Sequence, residues 1–226
     1  TVYDSENNVL LNLRFPDGYE VSDTFTVDNL PSDTNITFEL SGDISDWATI
    51  TDAEQTESGF TIPAVVGEQN NVSLFVSVPE GTLAGEYSLT VSSYEENDGT
   101  VSSIVLSIFV LQFYDTSVIA DNLSLEVELG DMASYSVEII NEGNGDNNLI
   151  FSLEDFPEDW TSVLNPESET LNPNGFLKLS IIVTPTEGAL AGMYNFSLII
   201  EHGGCAISNE LRLTVLPFCT LEVDLL

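Results

Sequence analysis

Basic residues are nearly absent from this sequence. Three lysine and arginine residues (Arg14, Lys178 and Arg212) stand against 38 aspartate and glutamate residues, which gives a formal net charge of -35. Three cations are too few for the basic patch with which proteins bind nucleic-acid phosphates. The same shortage disfavours binding to an anionic membrane surface. The charge balance therefore excludes nucleic acid as an expected partner.

Long apolar runs and catalytic motifs are also missing. The apolar run from Ile104 to Phe113 is too short to span a bilayer, so direct membrane insertion is not expected. The single histidine, His202, lies in a glycine-rich turn. The sequence contains no nucleophile elbow, zinc-protease motif, phosphate loop or dinucleotide fingerprint. We therefore expect a protein that is not an enzyme, with no catalytic residues and no cofactor.

The many carboxylates have two interpretations. The first is a surface adapted to salt-rich surroundings, where high ionic strength screens the repulsion between acidic groups. The second is recruitment of divalent cations by acidic loops, because calcium prefers oxygen ligands. No acidic loop has the spacing of a known calcium-binding loop, so no metal site is predicted, and calcium stays an open alternative. The hydrophobic fraction of 42% excludes a disordered chain.

The sequence contains the same module twice. Glu80–Tyr87 (EGTLAGEY) returns as Glu187–Tyr194 (EGALAGMY), and Asp46-Trp47 returns as Asp159-Trp160. Further on, Leu106–Val110 corresponds to Leu211–Val215. Each copy has roughly 110 residues, the usual size of one compact domain. We predict domains at 1–115 and 116–219, followed by a tail at 220–226.

Strict alternation of apolar and polar residues dominates both copies. Ile36, Phe38 and Leu40, for example, alternate with polar residues. A period of two indicates strands with one buried face, and no segment has a helical stripe. About seven short strands per copy, separated by turns, predict an all-β fold of two tandem immunoglobulin-like β-sandwiches.

The repeated aromatic residues have expected structural roles. Trp47 and Trp160 are predicted to plug one end of each sandwich core, with a platform for a ligand as the alternative. Tyr87 and Tyr194 are predicted to bond a backbone carbonyl through their hydroxyl groups, as in a tyrosine corner.

Four motifs in the second copy carry a family resemblance. They are NEGNG at 141–145, FPEDW at 156–160, LNPNG at 171–175 and AGMY at 191–194. Their order resembles the NEW3 and CARDB-like immunoglobulin-fold modules of secreted bacterial and archaeal proteins. The resemblance covers most of residues 123–216 and is weaker over 8–112. It implies a spacer, attachment or accessory domain of the kind found beside glycosidases, proteases and surface-layer proteins.

Four N-glycosylation sequons occur, at Asn35, Asn71, Asn122 and Asn195. In the three that lie on strands, the residue after the asparagine belongs to the core phase. The asparagines at 35, 71 and 195 should therefore point outward, where a glycan is tolerated.

The two cysteines, Cys205 and Cys219, suit an oxidising exterior. The last strand lies between them, and ten extended residues would span roughly 33 Å, whereas a disulfide needs a Cα separation under about 7 Å. Three alternatives remain open: the tail folds back, each cysteine meets a neighbouring module or chain, or both thiols are free.

The tail repeats the beginning of the second module. Leu221–Leu225 (LEVDL) resembles Leu125–Leu129 (LEVEL). It is interpreted as the first strand of a further module in a longer array, as a strand donated to a neighbouring subunit, or as a frayed end. Leu221, Val223 and Leu225 are the assembly candidates under the first two interpretations.

These features favour a non-enzymatic, extracellular structural protein. It would be a glycosylated segment of a surface layer, stalk, adhesin or filament, from a salt-adapted microbe such as an archaeon. The expected partners are further copies or neighbouring modules of the same array, with glycans as possible ligands. The alternative is an accessory carbohydrate-binding or spacer module of a secreted hydrolase.

Overall fold

The computed structural model is all-β, which confirms the predicted fold class. It describes residues 2–3, 9–11, 19–27, 33–51, 56–57, 59–66, 70–97, 99 and 101–217. The chain divides into two compact units, 1–113 and 114–226, and the predicted boundary lies two residues further along. No helix among the described residues is long and apolar enough to cross a membrane.

Unit 1 is built from two sheets. Their strand orders are β1-β2-β10-β9-β4-β7 and β3-β8-β5-β6, and a short 3-10 turn at Ser45–Trp47 precedes β5. The strands are β1 (Val2–Tyr3), β2 (Val9–Leu11), β3 (Tyr19–Val27), β4 (Thr34–Ser41), β5 (Ala48–Thr51), β6 (Thr56–Glu57), β7 (Gly59–Ala64), β8 (Asn70–Val78), β9 (Gly85–Glu95) and β10 (Val101–Val110).

Unit 2 also has two sheets, with orders β11-β13-β17-β15 and β12-β19-β18-β14-β16. The first strand of this unit is split, because β11 pairs with β13 in one sheet and β12 pairs with β19 in the other. The strands are β11 (Thr116–Ala120), β12 (Ser124–Val127), β13 (Ala133–Asn141), β14 (Asn147–Glu154), β15 (Thr161–Asn165), β16 (Ser168–Leu171), β17 (Phe176–Thr184), β18 (Gly192–His202) and β19 (Cys205–Val215).

Alternation along the strands creates one core in each unit. In β13 the buried apolar residues are Ala133, Tyr135, Val137 and Ile139, as a period of two requires. The hydroxyl of Tyr135 donates to the carbonyl of Arg212 at 2.7 Å and so links the two sheets. Desolvation by burial raises the pKa of Tyr135 to about 12.

The repeated aromatic residues take their predicted places. The hydroxyl of Tyr87 donates to the carbonyl of Leu83 at 3.0 Å, and that of Tyr194 donates to Leu190 at 2.8 Å. Trp160 is 6% exposed. Trp47 packs against the core of unit 1 but stays only half-buried, so the two tryptophans differ.

The NEGNG motif of unit 2 is held by one buried side chain. Asn141 is fully buried, and its Nδ2 donates to the carbonyls of Gly145 at 2.9 Å and Leu171 at 2.8 Å. Its Oδ1 accepts a hydrogen bond from the N–H of Gly143 at 3.0 Å. The amide thus fastens the β13–β14 turn to the end of β16. This part of the family-like motif has a structural role.

Replacing Asn141 by alanine should destabilise unit 2 by about 3 kcal/mol, because each buried polar group left unpaired costs about 1–3 kcal/mol. Urea unfolding followed by Trp160 fluorescence in a Trp47→Phe background measures this unit alone. Asn148→Ala is the control, because Asn148 is exposed and lies on β14, the next strand along the chain. Equal losses in the two variants would contradict the structural role of Asn141.

Candidate functional site

Strand β10 is only partly covered on one side. It pairs with β9 along its whole length, from Val101 to Val110. On its other side it pairs with β2 over Ile108–Val110 only. Within the described part of the chain, residues Val101–Ser107 therefore form a free strand edge, which we call the open edge.

The open edge lies in the longest interval of the sequence without a charged residue, between Asp98 and Asp115. The side chains of Val101 and Val105 are 63% and 64% exposed, and Ile104 is also exposed. The cross-strand neighbours of the two valines on β9 are Tyr94 and Thr90, which are uncharged too. The open edge and these two cross-strand neighbours are therefore uncharged, and three of the seven edge residues are β-branched.

Such an edge is suited to pairing with another strand. Every second residue of a free edge presents an unpaired N–H and C=O, and a second chain can add to them as a further strand. Two copies of a chain with net charge -35 repel one another over most of their surfaces. A neutral edge lets them approach without placing like charges in contact.

In the second unit, the equivalent edge carries charged residues. Strand β12 pairs with β19 over Arg212–Val215, so the preceding residues of β19 have a free side in the described structure. Glu210 stands one residue before Leu211, where unit 1 has Val105 before Leu106. Its carboxylate lies 3.5 Å from the guanidinium of Arg212. Charged side chains on an edge oppose strand pairing, so the two units differ at this surface.

The open edge was not among the predicted assembly residues. Leu221, Val223 and Leu225 lie outside the described residues, so their role stays a prediction. The signal that could have found the open edge was the missing charge between Asp98 and Asp115. In so acidic a chain, an apolar run without charges marks a surface suited to contact as well as a candidate membrane span.

The described sequon asparagines are exposed, as expected for glycan acceptors. Asn122 accepts a hydrogen bond from the N–H of Ser124 at 3.0 Å through its Oδ1. Nδ2 of Asn35 donates to Oε2 of Glu96 at 2.6 Å.

The other two sequons lie on central strands. Oδ1 of Asn195 accepts a hydrogen bond from Nε of Arg212 at 3.1 Å. Asn71 lies in β8 opposite Thr26, and its side chain is outside the described part of the structure. Phe196, the residue after Asn195, is buried as the alternation predicts.

The region around the lone histidine is a tight hairpin. Cys205 is an exposed free thiol and pairs with His202 across Gly203-Gly204, where both glycines have positive φ, as a type I′ turn requires. Nδ1 of His202 lies 3.4 Å from Oγ1 of Thr116. Cys219 lies outside the described residues, and no group of three metal-ligating side chains occurs among those described.

No protein-family model and no curated protein matches the chain. Among solved structures, a protein of unknown function from Porphyromonas gingivalis W83 is 16% identical with a TM-score of 0.34, and the match covers 92% of this chain and 96% of that one. Domains 4 and 5 of the S-layer protein SbsC are 13% identical with a TM-score of 0.32, covering 77% and 72%. A family 123 glycoside hydrolase from Clostridium perfringens is 14% identical with a TM-score of 0.38, covering 47% of this chain and 28% of the hydrolase. Similarities this distant assign neither a family nor a function.

The four sequons predict glycans on the protein made by its native cells. Glycopeptide mapping by mass spectrometry should find a glycan on at least two of Asn35, Asn71, Asn122 and Asn195. Four unmodified asparagines would contradict this prediction.

Salt should stabilise both units, because three cations cannot neutralise 38 carboxylates. Raising the KCl concentration from about 0.1 M to 1 M shortens the Debye length from about 10 Å to 3 Å. Calorimetry should then show a higher unfolding temperature, with millimolar CaCl2 adding nothing beyond its ionic strength. A large increase with dilute CaCl2 and none with KCl would instead support specific cation sites.

Proposed function

We propose that this chain is a non-enzymatic structural segment of an extracellular or cell-surface assembly, in which copies join through the open edge. The observation that carries the proposal is a strand edge at Val101–Ser107 that no other described strand covers, within the longest charge-free interval of a strongly acidic chain. Strand pairing needs both the unpaired backbone groups and the absence of repulsion.

The architecture supports a mechanical role. The chain consists of two sandwiches in tandem, and each has its own core, as expected of building blocks in a structural protein. The resemblance to NEW3 and CARDB-like modules supports a spacer or attachment domain. The sequons support an exterior location, where glycans keep the surface solvated.

Two copies would meet through an antiparallel pair of β10 strands related by a two-fold axis. An axis through Ile104 would set Val105 of one copy opposite Ser103 of the other and Val101 opposite Ser107. A self-complementary surface of this kind is usual for a two-fold dimer. Each backbone hydrogen bond contributes about 0.5–1.5 kcal/mol net, and the half-exposed apolar side chains of the edge add burial.

A salt-rich environment favours the association of copies through the open edge. The two neutral edges remove repulsion at the contact, but the remaining carboxylates still repel at longer range. High ionic strength confines that repulsion to a few ångströms. Assembly should therefore strengthen with salt, as suits the surface of a halophilic microbe. Leu221, Val223, Leu225 and the two cysteines remain candidates for a further junction in a longer array.

The test is Val105→Glu, which places in unit 1 the residue that unit 2 carries at the equivalent position. The fold should tolerate the change, because Glu210 is accommodated on the same scaffold. Sedimentation velocity over a concentration series in molar KCl should show self-association of the native chain. Val105→Glu should weaken it at least tenfold, or about 1.4 kcal/mol.

Val163→Glu is the matched control. It adds the same charge at an exposed valine of unit 2, on β15, and should leave self-association unchanged. A native chain that stays monomeric at every concentration, or equal effects of the two variants, would contradict the proposal.

A further inference from the structure

Unit 1 carries an open groove of about 760 Å³ on the outer face of its smaller sheet. Val72, Leu74, Val76 and Val78 of β8 are buried, so Phe75 and Ser77 lie on the opposite, outer face. Phe75 is 40% exposed and pairs with Thr49 of β5. Both residues line the groove, together with Asp46, Trp47, Thr51 and Ser77. The groove falls within the range of volumes typical for ligand sites, about 300–1,000 Å³.

The two tryptophans have different surroundings in the two units. In unit 2, the ring of Phe156 packs edge-on against buried Trp160, with centroids 6.2 Å apart. Phe156 stands four residues before its tryptophan, and the residue at that position in unit 1 is Asp43. The Asp43 carboxylate accepts hydrogen bonds from the N–H and hydroxyl of Ser88 at 3.2 and 2.8 Å. Unit 1 has no aromatic ring at this position. Trp47 is half-buried and lines the groove.

The second aromatic ring is also particular to unit 1. Phe75 stands five residues before Glu80, and the residue five before Glu187 is Ile182. Trp47 is held from the core side by Tyr87, whose ring centroid lies 5.0 Å away. An aromatic side chain that is fixed before the ligand arrives loses little conformational entropy on binding.

The chemistry of the lining selects a class of ligand. A pyranose ring has an apolar face of C–H groups and a rim of hydroxyls. The C–H groups carry partial positive charge and pack on the negative face of an aromatic ring. The Asp46 carboxylate accepts hydrogen bonds from sugar hydroxyls, while the hydroxyls of Thr49 and Ser77 both donate and accept.

The charge of the groove restricts the class of sugar that can bind. The groove contains the Asp46 carboxylate and no basic residue among its described lining, and the chain carries a net charge of -35. Uronates and sulfated sugars would be repelled. We propose that this groove binds neutral pyranose oligosaccharides, through Phe75 and Trp47 against the ring faces and Asp46 against the hydroxyls. The site does not depend on assembly through the open edge.

The test is calorimetric titration of the full chain with cello-, chito- and manno-oligosaccharides, and with oligogalacturonate as the anionic comparison. At least one neutral series should bind, and oligogalacturonate should not. Phe75→Ala should weaken binding about tenfold or more, whereas Ile182→Ala, at the equivalent position of unit 2, should leave it unchanged. In a Trp160→Phe background, the ligand should also shift the emission of Trp47.

Circular dichroism shows whether each variant is folded. If Phe75→Ala does not fold, Phe75→Leu keeps an apolar side chain and removes the ring, and the same loss is expected. The proposal is overturned if no neutral series binds, if oligogalacturonate binds equally well, or if removing the Phe75 ring has no larger effect than Ile182→Ala.

Discussion

Repulsion between like charges is the constraint on which this protein's surface depends. With 38 carboxylates and three cations, the chain cannot neutralise itself by ion pairing. The alternating strands resolve part of the problem, because they place apolar residues in two neutral cores and leave the acids in solvent. Contact with another copy is a separate problem. It is favoured only where the surface carries no charge, and the open edge lies within the longest charge-free interval of the chain.

The two copies show how one scaffold acquires different surfaces. Both copies share the tryptophan, the tyrosine hydroxyl bonded to the backbone four residues earlier, and the paired sheets. The surfaces differ at single positions. Val105 against Glu210 separates a neutral edge from a charged one, and Phe75 against Ile182 separates an aromatic groove lining from an aliphatic side chain. Unit 1 thus carries both proposed contact surfaces.

Local pattern was enough to predict the fold class, because a period of two fixes strands and their buried faces. The internal repeat also identified the scaffold residues, since a position repeated in both copies points to packing. The open edge could not be read in this way, because it depends on β2 covering only three residues of β10, a long-range pairing that local alternation does not encode. The groove was missed for a similar reason. Trp47 and Trp160 look equivalent in sequence, and local alternation does not show that Trp47 stays half-buried and lines a groove.

The central claim is that copies of the chain pair through Val101–Ser107. Amide hydrogen exchange of the full chain, compared between dilute and concentrated samples in molar salt, tests it most directly. The account predicts that alternate amides of Val101–Ser107 exchange more slowly in the concentrated sample, while those of Cys205–Leu211 on β19 do not change. Unchanged exchange along Val101–Ser107 in a sample that has assembled would contradict it.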